Sequence, residues 1–580
     1  MRSIIRNFRI QGSYRQAIAY AVLWSAPLIF LSIFYFYPLG SIIKTSFERA
    51  DAGFASSFFE ALRSESVREI LWFTIWQAAL STLLTLAIGL PGAYLLARYE
   101  FRGKTLLRAL SGVAFVLPTL VVAAAFYALL GPQGWINLVA MRIFGLSAAP
   151  IHLTNTIYAI LLAHIFYNTT IVLRMVGDFW SHIDPHLNQA ARTLGANRLE
   201  SFRKITLPLI GPAIISAALL IFIFSFTSFG VILILGGPRF ATLEVEIYFQ
   251  TISLFNLPLA AALSLIQLGC TLAMTIIYTR LSNRLTRPLK LQASRISQKR
   301  LTTWKSRIFA GVIIFILLTL LVAPLLALLT RSFVRLEPGR GQRVTESPGL
   351  TLDFYRELSI NRRSSLFYVP PTTAIGISLG YAFTTVILAL AIGLPAAWAL
   401  ARHSDRSLNK FLDPVLMLPL GTSAVTLGLG FIIALNRPPL DLRASPILVP
   451  IAHTLVAFPF VVRSLTPSLR SIQPRLRHAA AMLGASPAYV FQRVDLPLIG
   501  RALLVAAIFA FTISLGEFGA TALISRPEYP TIPLMIYRFI SQPGSINYGQ
   551  ALALSSILML VTAAGLVAIE RFRIADVGEF

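Results

Sequence analysis

The segment HAAAMLGASPAYVFQRVDLPLIG, residues 478–500, interrupts an otherwise strongly apolar chain. Residues 189–211, QAARTLGANRLESFRKITLPLIG, repeat its spacing 289 positions earlier. Each is too short and too polar to cross a bilayer. In the later copy Pro474 opens a helix at its first turn, with Leu476, Ala479, Ala480 and Leu483 on one face. Gly484 stands where a helix ends, and Ser486-Pro487 supplies a cap and first-turn proline for a second short helix. Leu496-Pro497 then enters an apolar run. The earlier copy offers Asp184-Pro185, Gly195, Asn197 and Leu207-Pro208 at matching places. The pattern predicts a helix-turn-helix lying on a membrane surface, present twice.

The surroundings explain why a membrane is involved. Of 580 residues, 56% are hydrophobic and 13% charged, too few charges to cover a soluble protein of this length. Runs 17–37, 71–97, 205–235, 257–278, 308–330, 373–401 and 549–569 contain no Asp, Glu, Lys or Arg. Each exceeds the roughly 20 residues that span a bilayer as a helix. Less clean candidates are 109–130, 154–173, 414–435, 444–462 and 502–525. The expected fold is an all-α integral membrane protein with twelve transmembrane helices.

The net charge of +26 does not indicate nucleic acid, because the basic residues cluster between apolar runs. Arg2, Arg6, Arg9 and Arg15 precede the first run, Arg98, Arg102, Lys104 and Arg108 follow the second, and nine lie between Arg280 and Arg307. With twelve spans these loops share one side, which predicts that both termini are cytoplasmic. The loop 331–371 opposes that reading: it falls outside by parity yet holds Arg335, Arg340, Arg343, Arg356, Arg362 and Arg363, partly offset by four acids. The single Cys270 allows no intrachain disulfide and no cysteine-based metal site. No resident metal is expected.

The chain is an internal repeat. AIGLPGAYLLAR at 87–98 returns as AIGLPAAWALAR at 391–402. Phe229-Gly230 and Phe518-Gly519 are 289 apart, as are Tyr248 and Tyr537. The expected organisation is a first half, 1–285, a basic linker, 286–305, and a second half, 306–580, with the surface segments at 184–208 and 473–497. The halves run in the same order and orientation. They are therefore parallel repeats related by a pseudo-twofold axis along the membrane normal, with a pathway between them.

The surface segments resemble the Glu-Ala-Ala loop of ATP-binding-cassette importer permeases. The resemblance lies in Gln189-Ala190-Ala191, Gly195 and Leu207-Pro208, and in His478-Ala479-Ala480, Gly484 and Leu496-Pro497. Both copies depart from the family at the first position, which is usually glutamate. The resemblance implies a type I importer permease with two fused halves, in a bacterial inner membrane. It implies coupling helices seated on a homodimeric ATP-binding subunit, which would hold the ATP and Mg, and an extracytoplasmic substrate-binding protein. The chain itself lacks the phosphate-binding pattern: Gly103-Lys104-Thr105 is preceded by Arg98 where a glycine is required, so no enzymatic role is expected.

Fused permeases resemble two groups, carriers of thiamine or its phosphates and carriers of ferric iron. GGPRFATLEVEIYFQTISLFNLPLAAALSLIQL, 236–268, and SLGEFGATAL, 514–523, look most like the thiamine group. Glu517, whose repeat counterpart is Ser228, is a candidate pathway residue, because an acid in an apolar run faces a cavity or a partner. Its alternative role is to cap a broken helix or pair with a basic group. Phe229 and Phe518 are candidates for an apolar gate. A different class, an ion-coupled secondary transporter, would require acids in several spans, and Glu517 is the one candidate.

Overall fold

A computed structural model describes residues 22–48, 56–184, 186–285, 298–335, 349–360, 369–402, 407–436, 438 and 440–572. The basic residues ahead of the first span, most of the linker 286–305 and much of the loop 331–371 lie outside them. Among the described residues, eleven helices are long and apolar enough to cross a membrane. They become twelve if Phe411–Gly421 and Ala424–Ala434, bent by 94°, form one span. Among the described residues the strands are one parallel pair, Tyr99–Glu100 with Lys299–Arg300.

Four runs expected as continuous spans are broken. The run 109–130 is divided between helices Lys104–Val116 and Thr119–Leu130, with Leu117 and Pro118 extended between them. Proline removes a backbone donor and pushes the preceding residue out of helical geometry. Pro419 lies in the corresponding tight turn, Leu418–Gly421, of the second half. The run 205–235 becomes Leu207–Phe226 and Gly230–Leu235, and the run 502–525 becomes Leu496–Gly516 and Gly519–Ile524. These breaks expose backbone N–H and C=O groups inside an apolar region, where each must find an internal partner.

The helices group into two compact units that cut across the halves of the repeat. One unit combines 1–49 with 373–531 and 564–580. Within it the span Val22–Phe47, first in the chain, packs on Ala424–Ala434 of the second half. Buried Tyr35 meets Thr422 with a hydroxyl–hydroxyl hydrogen bond of 2.7 Å. The other unit combines 50–372 with 532–563. Within it Trp304–Arg331, which begins the second half, packs on Thr119–Leu130 and Glu65–Arg98 of the first. Trp135 Nε1 donates to Thr330 Oγ1 at 2.8 Å, and the Tyr94 and Phe309 rings are 6.0 Å apart. The first span of each half is thus exchanged into the packing of the other.

The GLP motif of the repeat has a close-packing role in both units. A Cβ placed on Gly89 would lie 2.7 Å from Val172 Cβ, and one on Gly393 would lie 2.7 Å from Val461 Cγ1. Val172 and Val461 are themselves repeat counterparts, 289 apart. Glycine lets the two helices approach in each unit as no larger residue would. Gly89→Val or Gly393→Val should destabilise the fold by about 2 kcal/mol or more through overpacking, little relieved by helix propensity. A lowered unfolding midpoint in detergent would show this, and an unchanged midpoint would mean that these helices separate without cost.

Candidate functional site

The two surface segments fold alike. In the first copy the helix His186–Thr193 ends at Gly195, whose φ of +94° is left-handed. In the second the helix Pro474–Met482 ends at Gly484, φ +82°. The Ala196 N–H donates to Ala191 O at 3.0 Å and the Ala485 N–H to Ala480 O at 3.1 Å, so each turn ties back onto its helix. Asn197 and Ser486 then cap the second short helix. Asn197 Oδ1 accepts from the Glu200 N–H at 2.8 Å, and Ser486 Oγ accepts from the Tyr489 N–H at 3.3 Å. One wide turn, Phe202–Thr206 in the first copy and Phe491–Asp495 in the second, joins each hairpin to the long helix beginning Leu207-Pro208 or Leu496-Pro497.

Each hairpin is also tethered at one matching place, with different chemistry. Asn188 Oδ1 accepts from Thr206 Oγ1 at 3.0 Å and from Ser201 Oγ at 2.8 Å. Their counterparts Arg477 and Asp495 form an ion pair of 2.6 Å, with the Asp495 side chain fully buried. The first helix is thereby held at a set angle to the root of the next span. This tether was missed in the sequence, although the shared 18-residue separation of Asn188 from Thr206 and of Arg477 from Asp495 was visible there.

The outward surface of the hairpins is apolar at its tips. Leu194 is 88% exposed and its counterpart Leu483 is 89% exposed, alongside Met482 at 88%. Gln189, Ala190, His478 and Ala479 are exposed, Ala191 is buried, and Ala480 is half-buried. Ala480, Leu483, Gly484, Tyr489 and Arg493 border an open cleft of about 490 Å³ at the second turn. Large aliphatic side chains held in the open by a rigid turn, beside small residues that admit close contact, suit a groove on another protein.

Inside the membrane region, each repeat centres on a buried histidine. His164 accepts or donates at both ring nitrogens, to Ser81 Oγ at 2.9 Å and Ser228 Oγ at 3.0 Å. Its counterpart His453 does the same with Ser514 Oγ at 2.7 Å and Thr521 Oγ1 at 2.8 Å. Both residues are at most 1% exposed. Each joins a middle helix to the broken helix that follows the hairpin. Their 289-residue spacing, the same as that of the hairpins, is the signal in the sequence that marks them. Among the described residues no group of three or more His, Cys, Asp or Glu could hold a metal ion.

Glu517 belongs to this second network. Its carboxyl accepts from the Ala520 N–H at 2.8 Å, the Thr521 N–H at 3.1 Å and Thr521 Oγ1 at 2.7 Å, and lies 3.2 Å from His453 Nε2. It therefore caps the short helix Gly519–Ile524 at the break and pairs with histidine, with its side chain 4% exposed. Ser228 occupies the corresponding place beside His164. Phe229 and Phe518 are both buried, and the Phe229 ring packs 5.4 Å from Tyr248.

Comparisons with known proteins agree with this architecture. Residues 89–287 match the family described as binding-protein-dependent transport system inner membrane component. The chain is 29% identical over 490 residues to the Thiamine transport system permease protein ThiP of Escherichia coli (strain K12), covering 82% of this chain and 85% of that one. It is 28% identical to the protein of that name from Brucella abortus (strain 2308), covering 92% of each, and 27% identical to the one from Haemophilus influenzae, covering 88% and 89%. These likenesses support reading the chain as an ATP-binding-cassette importer permease with two fused halves, and the structure has many helices long and apolar enough to cross a membrane. The chain is a transport component and not an enzyme; ATP hydrolysis takes place on a separate subunit, and a substrate-binding protein delivers the cargo. Such permeases reside in the inner membrane of bacteria.

Proposed function

We propose that this permease carries thiamine or a thiamine phosphate from its external binding protein into the cytoplasm. The observation that carries the cargo assignment is the 28–29% sequence identity to thiamine permeases over most of both chains. In this reading the hairpins 184–208 and 473–497 are coupling helices on the cytoplasmic face, and both termini lie on that face. Two equivalent hairpins suit a homodimeric ATP-binding subunit, because a twofold partner offers the same groove twice. That subunit holds ATP and Mg. Closure of its dimer draws the hairpins together and biases the permease between two arrangements.

Glu517 acts here as a cap and anchor of a broken helix, since its oxygens are occupied by Ala520, Thr521 and His453. The test is uptake by proteoliposomes containing the permease, its ATP-binding subunit and its binding protein. ATP-dependent accumulation of labelled thiamine, blocked by excess unlabelled thiamine and not by ferric iron, is the expected result. Blocking by ferric iron instead would replace the cargo while leaving the importer class intact.

A further inference from the structure

Tyr248 lies on the helix Leu243–Ile252, and Tyr537 lies on Ile532–Ile540. They are counterparts in the repeat, 289 residues apart, yet they touch: their rings stand edge to face at 87° with centroids 6.4 Å apart. Both belong to the same compact unit. Residues related by a repeat can meet only close to the axis relating them, as a self-equivalent contact does in a twofold dimer. In parallel-repeat transporters that axis runs along the membrane normal, where the solute passes. The helix Leu207–Phe226 leads away from the first hairpin over 20 residues, about 30 Å, before the chain reaches Tyr248. The pair therefore lies toward the membrane face opposite the first hairpin.

We propose that Tyr248 and Tyr537 are an outer aromatic constriction, closed in this structure, that must part for cargo to enter. Phe229, 5.4 Å from Tyr248, backs the constriction from the break after the helix Leu207–Phe226. A shift of that broken helix thus reaches Tyr248 directly. The rings offer flat faces to a flat aromatic heterocycle. The stacking part rests on the thiamine reading; the constriction does not.

The test uses the complete complex with Cys270→Ser and a Tyr248→Cys/Tyr537→Cys pair, treated with a short reducible bis-thiol reagent. The linked peptides are read by mass spectrometry. Without nucleotide the link should form in high yield, and trapping with ATP and vanadate should lower the yield at least fivefold. Linked transporter should take up cargo at least tenfold more slowly, with recovery on reduction. Equal yields in both states, or full uptake with the link in place, would overturn the constriction. This readout does not depend on the cargo, so failure of wild-type complex to carry thiamine would overturn only the cargo assignment. Replacing both tyrosines by leucine keeps bulk but removes the rings. Thiamine uptake at low concentration should then fall roughly two- to tenfold; unchanged uptake would overturn the stacking role.

Discussion

The chain with Leu194→Asp and Leu483→Asp should insert and fold as the wild type does, yet fail to retain its ATP-binding subunit during purification. Both side chains are almost entirely exposed, at 88% and 89%, so their replacement removes no internal contact. The turns behind them are fixed by Gly195 and Gly484 in left-handed geometry and by backbone bonds that do not involve these side chains. An aliphatic anchor buried at the centre of a protein interface is typically worth about 2 kcal/mol or more, and a carboxylate placed there adds the cost of an unpaired charge. Two such losses weaken association by roughly a thousandfold or more. The measurement is co-purification of the subunit at equal permease yield, together with the unfolding midpoint of the permease alone. Retention of a stoichiometric subunit by the double variant would show that the hairpin tips are not the docking surface. Glycine substitutions at 195 and 484 are a weaker probe, because they alter the turn itself.

His453→Ala should be among the most destabilising single changes in the second half, and Glu517→Ser should be tolerated. The carboxyl of Glu517 is buried among apolar helices, 3.2 Å from His453 Nε2. Removing the histidine leaves the buried carboxyl with only its Ala520 and Thr521 donors, a loss of about 1–3 kcal/mol. It also releases Ser514 and Thr521, both bonded to the same ring. Glu517→Ser reproduces the first repeat, where Ser228 Oγ meets His164 Nε2 at 3.0 Å without any acid. The double change His453→Ala/Glu517→Ser should therefore recover part of the stability lost by His453→Ala alone. Unfolding midpoints of the three variants in one detergent check this. If His453→Ala costs no more than Glu517→Ser, the histidine is not the centre of the network.

The difference between the two networks bears on mechanism. In the first repeat a neutral hydroxyl joins the histidine to the break; in the second a carboxyl also caps the following helix. The same substitution pattern occurs in the hairpin tethers, where Asn188 and Thr206 give way to Arg477 and Asp495. The second half thus uses ionisable pairs where the first uses neutral hydrogen bonds. The backbone arrangement is kept while its local strength differs.

Much of this protein was legible without coordinates. Apolar runs longer than a bilayer requires, the repeat at 289, and the two Gly-turn hairpins follow from local chemistry alone. A helix must satisfy its own backbone in lipid, and a glycine or proline acts on the turn in which it stands. The hairpin boundaries expected from Pro474, Gly484 and Ser486 lie within a residue or two of those observed. The breaks were harder, since hydropathy averages over a window and passes across Pro118 or Glu517 without registering a bend.

What only the tertiary structure decided is which helix packs against which. An apolar span carries no address in its composition. Nothing in 22–47 distinguishes a neighbour in its own half from Ala424–Ala434 in the other, and the exchange of first spans depends on shape at contacts such as Tyr35 with Thr422. The buried partners of His164 and His453 were equally invisible, because side chains 61 to 83 residues apart are brought together by the fold and not by the chain. In lipid, where every neighbour is as apolar as the next, close fit and the few available polar bonds select the arrangement.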